Sequence, residues 1–110
     1  MKTSTDFAIF LSKFLSEYLP HERGMSPHTI LAYRDTFMLF IRYMRDEKKV
    51  FVEKLTLDKI SKEVVVDFLE WVQNRRNCSV VTRNHRLAAI HSFVLYLQYE
   101  DCLLYTSPSP

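Results

Sequence analysis

The chain has 110 residues, 47% of them hydrophobic, a single glycine and a net charge of +2. One domain of this size buries roughly two-thirds of the surface its unfolded chain exposes, and so much apolar content with so little glycine excludes both disorder and a turn-rich β architecture. No run approaches the roughly 20 apolar residues of a membrane span, no basic-then-apolar export signal opens the chain, and Cys78 and Cys102 make neither a disulfide framework nor a metal cluster, so a cytoplasmic, all-α, compact four-helix bundle is expected.

Phe7, Phe10, Leu11, Phe14, Leu15 and Tyr18 recur at helical spacing, which predicts a first helix over residues 6–19, capped by Ser4 or Thr5 and stopped by Pro20. Ser26 followed by Pro27 starts a second helix sharply: the serine side chain caps the first-turn donors, and proline loses nothing by lacking an N–H there. That helix extends to about Asp46. Its apolar stripe is Ile30, Tyr33, Phe37, Phe40, Ile41 and Met44, and its opposite arc carries His28, Ala32, Asp35 and Arg42.

A loop from Lys48 to about Leu55 leads into a single turn, residues 56–60, that seats Leu57 and Ile60 in the core. Ser61 caps a third helix over residues 62–76, with Val65, Phe68, Leu69 and Val72 facing inward and Asn77 ending it in the left-handed conformation. Ser79 or Thr82 caps a fourth helix to about Tyr99, on a stripe of Leu87, Ile90, Phe93, Val94 and Leu97. Residues 1–101 form one domain. The segment 102–110 continues no periodicity and is expected to be disordered, as a truncation scar or non-native sequence.

Charge is unevenly placed. Trp71 to Tyr99 contains no acid but holds Arg75, Arg76, Arg83 and Arg86 with His85 and His91, a local excess of the kind a polyanion partner needs. A solvated basic face is the plainer alternative. Nothing in the chain assembles an active site: there is no phosphate-cradling glycine loop, no nucleophile elbow, and the four histidines lack metal-site spacing. No catalytic residue, metal or other cofactor is expected.

The run Ser26-Pro27-His28-Thr29-Ile30-Leu31-Ala32-Tyr33-Arg34-Asp35 resembles the second helix of the core-binding domain, the N-terminal SAM-like domain, of tyrosine recombinases and phage-type integrases. Downstream, Thr82-Arg83-Asn84-His85-Arg86-Leu87-Ala88-Ala89-Ile90-His91-Ser92-Phe93 resembles that domain's fourth helix, at the expected separation. Leu55-Thr56-Leu57 and the Val-x-Asp-Phe-Leu-x-Trp of the third helix extend the match over residues 5 to about 101, nearest to Xer-like recombinases of mobile elements. His85 and His91 depart from it, standing where many relatives carry arginine.

The resemblance implies a DNA-binding module of a recombinase that performs DNA integration or recombination. Its second and fourth helices cross in the major groove, its first contacts a sister protomer, and the cleaving tyrosine with its activating set belongs to a separate C-terminal domain. This chain would then be no enzyme by itself, with duplex DNA and sister protomers as partners and no membrane. His28, Thr29 and Ala32 would lie at the DNA from the second helix, and Thr82, Asn84, His85 and Arg86 from the fourth. Arg34 reaches a phosphate or pairs with Asp35 or a neighbouring acid. Thr29 and Thr82 also suit purely local capping, and Tyr33 suits the core. The rival reading is a helical protein-interaction domain that docks a partner helix through exposed Leu31, Met38 and Leu39.

Overall fold

The computed structural model describes the backbone of residues 6–77 and 79–106 and side chains as far as Glu100; Cys78, the side chain of Cys102 and residues 107–110 of the expected tail lie outside that set. Asp6–Lys13 form α1, which passes without a break into a π-helical segment, Phe14–Glu22. Pro20 lies inside this segment and does not stop the helix. Proline offers no N–H and its ring crowds the carbonyl four residues back. Widening the backbone to i→i+5 spacing moves that carbonyl aside. The segment closes with bonds from the Arg23 N–H to the Tyr18 carbonyl and from the Met25 N–H to the Leu19 carbonyl, each 3.0 Å. Gly24, at φ +61°, then turns the chain through the left-handed region.

Helix α2, Pro27–Glu47, starts where the sequence predicts, with Ser26 Oγ accepting the Thr29 N–H at 3.3 Å. Its buried residues are Thr36, Phe37, Leu39, Phe40, Tyr43 and Met44, while Ile30, Tyr33 and Ile41 pack half-buried at the margin. Leu39 thus corrects one expectation: it is buried beside Trp71 and Val72 of the third helix, because that helix covers this part of α2. Only Leu31 and Met38 of the proposed docking face are exposed.

Two 3-10 turns follow, Val52–Lys54 and Leu57–Lys59, and between them Leu55 is wholly buried. Leu57 and Ile60 reach the core only at its edge. The Asp6 carboxylate accepts the Leu57 N–H at 3.0 Å, tying this connection back to α1. Helix α3, Lys62–Arg76, matches expectation at both ends: Ser61 Oγ accepts the Val64 N–H at 3.2 Å, and Asn77 ends it at φ 51°. Phe68, Leu69 and Val72 are buried.

Helix α4 runs from Val80 to Thr106, past the expected end near Tyr99. Its buried face is Ala89, Ile90, Phe93 and Tyr96. Leu87, placed in the core by the sequence pattern, is 45% exposed. The face is set by an aromatic crossing: Phe14 contacts Tyr18, Tyr33, Phe37, Phe93 and Tyr96 at centroid separations of 5.2 to 6.4 Å. Turning α4 to bring Tyr96 onto Phe14 turns Leu87 outward. Such ring pairs contribute about 0.5–1.5 kcal/mol each beyond their burial, more than one partly exposed leucine loses. This crossing fixes α4 against α1 and α2 and thereby fixes where the starts of α2 and α4 meet.

Candidate nucleic-acid interface

The two helix starts are built alike. Ser79 Oγ accepts the Thr82 N–H at 3.2 Å and exchanges a hydrogen bond with Thr82 Oγ1 at 3.2 Å; Ser26 and Thr29 do the same at 3.3 and 3.1 Å. Of the two caps open from sequence, Ser79 is therefore the one used, and Thr82 sits three residues inside. Each threonine hydroxyl has one donor and two acceptor sites. A hydroxyl that accepts from its serine still has its own proton to give.

Both starts open onto one cleft of about 570 Å³ between α2 and α4. Six of the predicted site residues line it: His28, Thr29 and Ala32 from α2, and Thr82, His85 and Arg86 from α4. Ala32 and Ala88 are exposed and carry only a methyl group, which lets another backbone approach the helices closely. Ala89, next to Ala88 in the chain, is 1% exposed in the core, a consequence of the rotated face of α4.

The cleft excludes the other two predicted residues. Arg34 is exposed, lies outside the lining, and among the described residues no ion pair joins it to Asp35 or another acid. Asn84 is exposed on the next arc. Four lining residues were absent from the sequence-based site: Tyr33, Asp35, Thr36 and Ala88. Thr36 is 4% exposed and donates its hydroxyl to the Ala32 carbonyl at 3.3 Å, so it stiffens the wall. Asp35 puts a carboxylate among the basic groups. Its place on the polar arc was the signal that could have identified it.

The acid-free segment spends part of its charge inside the fold. Arg83 donates to Gln73 Oε1 at 2.6 Å, fastening the first turn of α4 to the last turn of α3. Arg75 lies over the Trp71 ring at 4.9 Å. Arg86 is half-buried and lines the cleft. No helix among the described residues is long and apolar enough to cross a membrane.

Residues 11–101 match the family model described as phage integrase, N-terminal SAM-like domain. The chain is 36% identical over 100 residues to a Sinorhizobium fredii protein named "Putative integrase/recombinase y4rC", covering 91% of this chain and 30% of that protein. A second protein of that organism, y4rD, of the same description, is 29% identical over 94 residues, covering 86% of this chain and 34% of its own length. The tyrosine recombinase XerD of Oceanobacillus iheyensis is 30% identical over 84 residues, which cover 76% of this chain and 27% of that protein. No solved structure matches the chain. The chain belongs to the phage integrase N-terminal SAM-like domain family. It spans about a third of the length of the curated relatives it matches.

Proposed function

We propose that this chain is the DNA-binding N-terminal module of a site-specific tyrosine recombinase or integrase, seated on duplex DNA through the cleft between α2 and α4. The observation that carries the reading is the convergence of two serine-capped helix starts, each with a threonine hydroxyl, on a cleft that also holds His28, His85 and Arg86. Helix N-termini present partial positive charge and outward N–H groups, which suit phosphate oxygens. Thr29 and Thr82 add hydroxyl donors and Arg86 a full charge. His28, His85 and Asp35 supply base-edge partners, a carboxylate being an acceptor for the cytosine amino group. The methyl-only positions Ala32 and Ala88 give the groove room to close on the helices.

In the longer protein, this module positions duplex for strand exchange carried out elsewhere in the chain, in the cytoplasm and beside sister protomers on the same DNA. The chain by itself cleaves and joins no strand. Fluorescence anisotropy of this chain against labelled duplex at low salt tests the binding: weak, steeply salt-dependent association is expected, because each phosphate contact contributes about −0.9 to the log–log salt slope. Absence of binding to any duplex while circular dichroism shows intact helices overturns the reading. Nicking of supercoiled plasmid that tracks the protein through purification overturns the assignment of the chemistry to another part.

A further inference from the structure

One row of α2 joins the cleft to a second hollow. Positions 28, 32, 35, 39, 42 and 46 follow steps of four and three residues and share a helix face. His28, Ala32 and Asp35 line the cleft; Leu39, Arg42 and Asp46 line a hollow of about 100 Å³ whose other wall is Trp71, Val72, Arg75 and Arg76 of α3. At 1.5 Å per residue, Arg42 lies about 21 Å along α2 from His28. A major groove is about 12 Å wide. With α2 crossing the groove at the cleft, Arg42 lies past the groove's width, on the side of the far phosphate strand.

The arginines of the hollow are pre-set for an anion. Arg75 stacks over Trp71 at 4.9 Å, and Trp71 is itself held by its Nε1–H donating to Glu47 Oε2 at 3.1 Å. Asp46, the carboxylate of the hollow, is paired with Arg45 at 2.8 Å. Arg42, Arg45, Arg75 and Arg76 thus outnumber Asp46 and Glu47. Guanidinium groups bind phosphate oxygens in a planar, two-point fashion.

Resting on the duplex-binding reading, we propose that Arg42, Arg75 and Arg76, gathered around Trp71 where α2 and α3 pack, form a second phosphate-contact point that extends the DNA surface along α2 beyond the cleft. Arg75 is braced by the indole, and Arg42 and Arg76 reach the phosphodiester from the two sides of the hollow. Helix α2 is then held at both ends of this row.

The test compares wild-type chain, the double variant Arg42→Gln/Arg76→Gln, and a charge-matched control, Lys54→Gln/Lys59→Gln, in salt titrations of duplex binding followed by anisotropy. Arg75 is left intact because its loss would also disturb Trp71. Two lost contacts reduce the salt slope by about 1.8 and weaken binding by about eightfold each at 0.1 M salt, while the lysine control changes little. Equal slopes for wild type and the arginine variant, or equal losses in the arginine and lysine variants, overturn the inference and leave the cleft reading standing. Failure of wild type to bind overturns both. If the double variant melts below wild type, Arg76→Gln alone, at the exposed last residue of α3, is read instead, with about half the slope change expected.

Discussion

Thr82 and Ser79 share a hydrogen-bonded pair at the start of α4, and substituting each separately distinguishes a cap from a DNA contact. Ser79→Ala removes the acceptor for the Thr82 N–H. Losing a serine cap costs about 1 kcal/mol, which lowers the melting temperature of a domain this size by about 4–8 °C. Thr82→Val keeps the backbone bond to Ser79, the shape and the β-branch, and takes away only the hydroxyl. Its effect on stability is smaller than that of Ser79→Ala, because the Thr82 N–H keeps its partner and only the hydroxyl bond to Ser79 is lost. If that hydroxyl donates to a phosphate, affinity falls by about 1.5 kcal/mol, the low end for a hydrogen bond to a charged group, or about tenfold. The salt slope stays unchanged because no cation is removed. Melting curves and anisotropy on the same samples decide it. A Thr82→Val chain that binds duplex as wild type does refutes the phosphate role, and a lowered melting temperature beside it assigns the hydroxyl to the cap.

Arg86→Ala should weaken binding to all sequences and lower the salt slope by about 0.9, whereas His85→Ala should relax preference at particular bases, by at most about 1–3 kcal/mol; a panel of duplexes titrated at two salt concentrations separates them, and identical behaviour of the two variants contradicts the assignment. Phe14→Ala, at the crossing of five aromatic partners and 0% exposed, should cost about 3–5 kcal/mol, a large share of the roughly 5–15 kcal/mol that stabilises a domain; chemical denaturation with a loss under 1 kcal/mol would show that the crossing does not organise the bundle. Burial first, then Glu100 and Glu17, pushes the Tyr96 hydroxyl up from 10.0 to about 12. Because the folded value is the higher one, its contribution to stability is complete below pH 10 and is lost as the pH rises towards 12, so Tyr96→Phe should flatten the alkaline part of a stability–pH curve; an unchanged curve rules this out.

The parts of the fold legible in the sequence are those set by chemistry local to a few residues. Ser26-Pro27, Ser61 and Asn77 act on the backbone within one turn, and the structure puts each where the sequence predicts. The misread parts depend on what lies across the core. Pro20 is a stop only if the helix must keep i→i+4 spacing, and the π-helical segment removes that condition. Leu39 reads as exposed until α3 covers it. On α4, hydrophobicity alone favours Leu87, but the rings of Phe14 and Tyr18 select Tyr96, and the helix turns accordingly. Six of the expected residues line one cleft because the motif places them in the first two turns of α2 and α4, which the packing brings together. Asp35 shares the polar arc of His28 and Ala32, whereas Thr36 enters the cleft through the crossing of α2 with α4, which no spacing within one helix encodes.

Net charge was the least transferable of the sequence signals. The acid-free stretch from Trp71 to Tyr99 carries four arginines, yet Arg75 is stacked on an indole and Arg83 is bonded to Gln73, so both also brace the fold. Arg86 lines the cleft and Arg76 the hollow by α3. On the duplex-binding reading the cleft itself makes few phosphate contacts, and a duplex held by this module alone dissociates readily. On that reading discrimination falls to groups fixed by the fold: His28, His85 and Asp35 at base edges, and two alanines that admit a close approach. Within the proposed function, that division suits a domain that positions DNA for chemistry supplied by another part of a longer chain, since tight general binding would hinder release and exchange of partners, whereas a sparsely charged cleft selects geometry first.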